Sequence, residues 1–225
     1  MKRLKLLGLA MFAVFALGAA AAASASAETS LLPTGTAGSP VNFTVKSGEG
    51  KLKSALATIT CKKDEGKGSW TSATLGTFEV TFLECTGPLA SKCWSLDQAA
   101  NSGIITVMGE FHLRMGLSGQ PLGIITHLIL HVHIFCGELL ILVLGCAAGK
   151  VNNINELISS GTVSLAVAGG VQEITHADNA AETAMETCEL TVEGLGKTVV
   201  GTEETEETLE KFEKNGSAVT ALVHV

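Results

Sequence analysis

Four histidines stand where imidazole chemistry would need them. His127, His131 and His133 lie within HLILHVHIFC, and His112 lies within GEFHLRM. Residues two apart on an extended chain point to the same side, so the first three would line one face of a strand. Imidazoles so placed, with the carboxylate of Glu110 across from them, suit zinc, copper or nickel. A hairpin through GLSGQPLG centred near Gly119 would set His112 opposite His127 and Glu110 diagonal to His131. The same side chains also fit a half-buried polar strand face that makes cross-strand contacts and holds no ion. Structural histidines are the expectation. A metal-binding protein or metal-dependent enzyme using His112, His127, His131 and His133 is the alternative.

Other chemistry is harder to find. No GxSxG elbow, SxxK or HExxH occurs. Gly196-Lys197-Thr198 resembles the end of a phosphate loop, but Thr191 stands where that motif needs glycine, so the segment reads as a turn between strands. GTEETEETLEKFEK (201–214) holds six glutamates in fourteen residues. It has no DxDxDG-like loop for calcium and reads as a solvated face, on either an amphipathic helix or an acidic edge strand. No catalytic residue and no cofactor is expected, and the chain is not expected to be an enzyme.

The six cysteines, Cys61, Cys85, Cys93, Cys136, Cys146 and Cys188, have no CxxC spacing. An even number in an exported chain allows three disulfides in fifteen connectivities. Cys85 and Cys93 flank the short loop TGPLASK and would staple it.

The elements that must position these residues follow a period of two. VNFTV (41–45), ALATITC (55–61) and TFEVTFLEC (77–85) are β-branched and partly alternating, punctuated by clusters such as KSGEGK and KKDEGKGSW. In GIITVMGEFHLRM, Ile105, Val107, Phe111, Leu113 and Met115 are apolar while Thr106, Glu110, His112 and Arg114 are polar, the signature of a half-buried strand. Further strands are expected at 162–168, 171–175, 185–193 and 218–225. Within HLILHVHIFCGELLILVLGC (127–146), Leu128, Leu130, Val132, Ile134 and Cys136 form one face and the histidines the other. A turn at Gly137-Glu138 then returns LLILVLGC as a strand buried on both faces. Residues 124–148 are also long enough to span a bilayer, but three histidines and Glu138 would then sit in hydrocarbon, so a single span is the lesser alternative. The expected fold is all-β, one antiparallel sandwich or barrel-like domain over residues 41–225.

Residues 1–27 read as a cleaved signal peptide: Lys2, Arg3 and Lys5, an apolar run, then Ala25-Ser26-Ala27. Residues 28–40 read as a flexible, Thr/Gly/Ser/Pro-rich arm. Without the leader, twelve basic residues face 22 acidic ones, a net charge near −10. That balance disfavours nucleic acid and anionic membranes as partners. Tyrosine is absent, and Trp70, Trp94 and a few phenylalanines are thin material for a stacking platform. The expectation is a non-enzymatic protein, secreted or held at the cell envelope, with a structural role or an extracellular ligand and no stable membrane insertion.

Several segments resemble, in order, those of a large paralogous group of secreted β-rich proteins of soil actinobacteria for which no activity is established. ITCKKDEGKGSWT is similar to the group's TCKSDTGTGEIT, and GTFEVTFLECTG to its GKVTVTFTGCT, followed by a second loop cysteine at Cys93. GIITVMGEFHLRMG and HVHIFC stand where the group has its next strands. The resemblance implies a β-rich exported domain and no particular chemistry. It also implies that Cys61, Cys85, Cys93 and Cys136 are shared positions and that Cys146 and Cys188 are additions. Added cysteines that arrive together tend to pair, which suggests Cys146–Cys188 and leaves Cys61–Cys136.

Overall fold

The computed structural model describes residues 30–33, 40–71, 75–114, 123–151, 157–165, 172–179 and 182–224. The expected signal peptide (1–27) lies outside them. Among the described residues there are twenty strands and no α-helix. The first seven are β1 (Ser30–Pro33), β2 (Val41–Ser47), β3 (Gly50–Ser54), β4 (Thr58–Cys61), β5 (Lys63–Trp70), β6 (Leu75–Leu83) and β7 (Cys93–Ser95). The middle of the chain gives β8 (Ile105–Arg114), β9 (Gly123–Leu128), β10 (Val132–Cys136), β11 (Leu139–Val151), β12 (Leu157–Ile158) and β13 (Ser160–Ser164). The rest are β14 (Gln172–Asn179), β15 (Glu182–Cys188), β16 (Leu190–Gly194), β17 (Lys197–Glu204), β18 (Glu206–Lys214), β19 (Ser217–Ala218) and β20 (Ala221–His224).

The fold is the all-β, antiparallel, sandwich-like domain that the period-two pattern requires. One half runs β13-β18-β2-β5-β6-β8-β9-β11, the other β11-β16-β17-β3-β4, with β10 beside β11 and β7 beside β10. β11 serves both halves: residues 142–145 pair with β16 and residues 146–150 with β9. Gly145 makes that transfer possible. Its φ is +102°, and a Cβ there would stand 2.1 Å from the Glu189 carbonyl oxygen. Before it only one phase is buried, at Ile141 and Val143, while after it Cys146, Ala147 and Ala148 are all buried. A two-pair contact of β11 with β13 brings the first half's end strands together without a full ladder. The arm expected over 28–40 includes β1, which pairs with β20.

Each half has its own core. Phe43, Trp70, Phe111 and Phe212 cluster in the first, with Phe43–Trp70 ring centroids 4.5 Å apart and Trp70–Phe111 4.9 Å. Ile59, Ile105, Ile134, Ile141, Val143 and Val192 fill the second.

KKDEGKGSW is not punctuation between strands. Lys63–Trp70 is β5, central in the first half and fully paired to β2 and β6. Its turn-like glycines are a packing requirement, because the interior face of this half is crowded by aromatic rings. A Cβ on Gly68 would lie 2.2 Å from Phe43 Cζ and 2.8 Å from the Thr77 carbonyl oxygen. Gly68→Ala is therefore expected to lower stability by about 1–3 kcal/mol through overpacking. Gly48→Ala, where nothing lies within 4 Å, should stay within about 0.5 kcal/mol of the parent; urea unfolding of both variants checks the contrast.

The stretch 124–148 forms three strands, β9, β10 and the start of β11, rather than one span. No helix among the described residues is long and apolar enough to cross a membrane. The expected single strand over 127–136 breaks at Ile129–His131, where the chain leaves β9 in the first half for β10 in the second. Ile129 and Leu130 are 55% and 68% exposed there, so Leu130 does not belong to the buried face. Val132, Ile134 and Cys136 do, and the turn falls at Gly137–Glu138 as expected. LLILVLGC is not buried on both faces: Ile141 and Val143 point inward while Leu140 is exposed. Leu195–Gly196 forms the turn of the β16–β17 hairpin, as read from the sequence.

All six cysteines are bonded, as Cys61–Cys85, Cys93–Cys136 and Cys146–Cys188. The last pairing matches expectation; Cys85–Cys93 and Cys61–Cys136 do not. The register supplies the reason. Bridges Thr60↔Thr86 and Thr86↔Lys92, together with Cys136↔Cys93, set four cysteines in one row across adjacent segments, in the order 61, 85, 93, 136. Bonding the middle two would leave the outer two three strand spacings apart, roughly 14 Å, beyond disulfide reach. Bonding the row from its ends leaves no cysteine stranded.

Candidate functional site

The four histidines weighed as ligands fall on β8, on β9, in the bend after β9 and on β10. The β8–β9 register places Glu110 opposite His127 and His112 opposite Ile125, so the hairpin is centred one position earlier than Gly119 requires. His131 lies in the exposed bend between β9 and β10, and its carbonyl oxygen is 3.3 Å from His133 Nδ1. His133 sits on β10 opposite Leu142. The break that carries the chain between the two halves thus separates His127 from His131 and His133. The His127 side chain lies outside what is described. Among the described residues no three His, Cys, Asp or Glu side chains gather as metal ligands would.

A different set of ionisable groups does converge, inside the protein. The acid-rich segment 201–214 is neither a helix nor a sheet edge. It comprises the end of β17, a crossing residue Thr205 and β18, which lies between β13 and β2. Thr205 is the point at which the chain leaves the second half for the first, held by Leu165 N–H donating to its carbonyl oxygen at 2.8 Å. Alternation along this segment sends Glu203, Thr205, Glu207 and Leu209 toward the interior. The glutamates of opposite phase stay outside, where Lys53 pairs with Glu204 at 2.6 Å and Lys46 with Glu210 at 2.7 Å. The solvated-face reading therefore holds for four of the six glutamates and fails for Glu203 and Glu207.

Glu207 is opposite Ser47 on β2, and Ser47 is opposite Asp64 on β5. Two carboxyl groups thus flank one small residue across three strands. Asp64 and Glu207 are 3% and 7% exposed, and Glu203 is partly buried. Ser47 Oγ donates to Asp64 Oδ2, and Thr205 Oγ1 reaches Glu207 Oε1 at 3.5 Å. No N–H or hydroxyl group donates to Asp64 Oδ1 or Glu207 Oε2. None of the ion pairs among the described residues involves these three acids.

Burial without a cation raises the pKa of all three. Glu203 is pushed up to about 7, by burial first and then by the charge of Asp64. Glu207 is pushed up to about 9, by burial, then by the charges of Asp64 and Glu203, and by its hydrogen bond to Asp64. Asp64 is also raised by burial, against the opposing hydrogen bonds from Ser47 and Glu207. At neutral pH Glu207 is therefore the protonated donor and Asp64 its acceptor, a shared-proton arrangement that buried carboxyl pairs adopt.

These acids stand at one end of an internal cavity of about 150 Å³ between the two halves. Its walls come from both cores, Phe43, Val80 and Phe111 from one side and Ile59, Ile134 and Val143 from the other. Glu203 and Glu207 are part of its lining. Trp70, at the far end of β5 from Asp64, also lines it, and its Nε1–H has no acceptor. A cavity lined by apolar side chains with a few convergent polar groups is the usual form of a small-molecule site.

Residue type alone pointed to the histidines because they are rare and chemically legible. The acids were hidden in segments whose composition reads as solvent-facing. A signal was present: in KDEGKGSW, Asp64 shares phase with Trp70, and in EETEETLEKF, Glu207 shares phase with Leu209. The only described aromatic pair near the surface, Trp94 on Phe135 (5.7 Å, 18° between planes), joins β7 to β10. Compared with known protein families, characterised proteins and solved structures, the chain finds no match.

Proposed function

We propose that this chain is an exported, non-enzymatic β-domain that holds a small apolar molecule inside its sandwich. The observation that carries the reading is the cavity between the two cores, walled by apolar side chains from both. Tightly packed domains have few voids larger than a water molecule, and a dry apolar cavity of about this volume takes up a ligand the size of benzene. Export is supported by the leader-like N-terminus and by three disulfides, which form in oxidising compartments. The resemblance to secreted actinobacterial proteins supports the same location.

Toluene tests the reading on the oxidised protein. A ligand that binds only the folded state stabilises it by mass action, about 1.4 kcal/mol at ten times its Kd. Toluene is therefore expected to raise Tm in a saturable way, and Val143→Phe, which fills part of the cavity wall, should weaken the effect at least tenfold (about 1.4 kcal/mol). An unchanged Tm at saturating toluene would overturn the cavity as a binding site.

A further inference from the structure

We infer that the cavity is built for a small organic cation, an aryl or short alkyl amine whose ammonium group docks between Glu203 and Glu207 while its apolar body fills the space between the cores. This rests on the reading of the cavity as a ligand site and names the ligand's class.

The inference starts from the unmatched polar atoms. Buried polar atoms in folded proteins nearly always have partners, and leaving one without costs free energy. Here two carboxyl oxygens, Asp64 Oδ1 and Glu207 Oε2, on side chains 3% and 7% exposed, meet no N–H or hydroxyl donor, and only the carboxyl proton that Glu207 shares with Asp64 joins the pair. Glu207 lines the cavity, and Asp64 stands behind it across Ser47. What is missing is a charged donor. Every element packed against the site supplies acceptors or neutral groups: Ser47 from β2, Asp64 from β5, Glu203 from β17, Thr205 at the crossing and Glu207 from β18. The one cation among the lining residues, Lys51 of β3, has its Nζ held 2.7 Å from Glu49 Oε1, on the outside. An ammonium group brings three N–H donors and one charge, and charge-assisted bonds to carboxylate are the strong kind. A carboxylate or phosphate head group would meet only repulsion. A bare metal ion would find no set of three gathered ligands among the described residues. The cavity volume limits the apolar body to about one aromatic ring or a short alkyl chain.

The site as it stands keeps its charge low by holding protons. A cation that enters should displace them, so binding at pH 7 should release protons and weaken as the pH falls to 5.

Calorimetry with benzylamine, toluene, benzyl alcohol and benzoate on the oxidised protein tests this. Benzylamine should bind at least about tenfold tighter than toluene or benzyl alcohol, with benzoate undetectable. Glu203→Gln and Glu207→Gln, which keep shape and cannot ionise when the cation enters, should each reduce that preference without weakening toluene. If either variant fails to fold, proton release measured on the parent protein in two buffers of different ionisation enthalpy carries the test. Toluene binding with no preference for benzylamine would overturn the cation inference and leave the cavity reading intact. Equal preference for benzylamine and benzyl alcohol would make the head group a neutral donor and overturn it as well. Binding of neither toluene nor benzylamine would remove both readings.

Discussion

Glu207→Gln should unfold at a higher temperature than the parent at pH 8 and at nearly the same temperature at pH 5. In the unfolded chain this glutamate titrates near its ordinary value of 4.5, whereas in the fold it is pushed up to about 9. Between those limits the folded chain holds a proton that the unfolded chain has released. Stability then falls as pH rises, by 2.303RT per pH unit for each such proton. Glu203, raised to about 7, adds to the slope over the lower part of the window. Counting Glu207 alone over two pH units gives a loss on the order of 3 kcal/mol. For a domain of this size that corresponds to roughly 6–12 °C in Tm. Glutamine keeps the donor to Asp64 without an ionisable proton, so the variant should follow the parent in acid and escape its decline in base. Thermal melts of both proteins at pH 5, 6, 7 and 8 check it. A parent Tm that is flat over this range would show that the carboxyls are solvated and would remove the physical basis of the site.

This behaviour was legible in the sequence only in outline. The period-two pattern of residues 105–114, with Phe111 inward and Glu110 outward, gave strand and face correctly. The pattern failed where the chain passes from one half of the sandwich to the other. At Ile129–Leu130 the alternation is interrupted by a crossing, at Gly145 and Thr205 the chain changes partners with the inward phase kept, and no local propensity marks which of two sheets a strand joins. Composition misled at β5, where glycine is demanded at position 68 by the ring of Phe43 on the interior face and at position 66 by the Glu79 carbonyl, rather than by a turn. It misled again over the end of β17 and β18, because six glutamates look solvated until phase is counted. A one-position difference in the centre of the β8–β9 hairpin was enough to move His112 from opposite His127 to opposite Ile125, since composition does not declare the register of a hairpin.

Removing Cys93 and Cys136 together should be the most destabilising change in the second half. Cys93 and Cys136 are directly opposed on β7 and β10, 0% and 4% exposed, and their bond closes a separation of 43 residues. The chain-entropy estimate for a loop of that size is about 4 kcal/mol, against about 3 kcal/mol for the shorter Cys61–Cys85 loop. The bond also determines what may lie above it: a Cβ on Gly87 would stand 2.7 Å from Cys93 Sγ and 2.8 Å from Cys136 Sγ, so the Gly-Pro loop is moulded over the sulfurs. Cys93→Ala with Cys136→Ala is the informative variant, because a lone Cys93 thiol would sit beside Cys85, whose carbonyl oxygen already accepts its N–H at 3.0 Å. That thiol could exchange with the Cys61–Cys85 bond. Urea unfolding should place the double variant several kcal/mol below the parent, while peptide mapping without reduction should still recover Cys61–Cys85 and Cys146–Cys188. A Cys61–Cys136 or Cys85–Cys93 peptide from the parent would contradict the four-cysteine row, and with it the pairing that closes the second half around the apolar wall of the cavity.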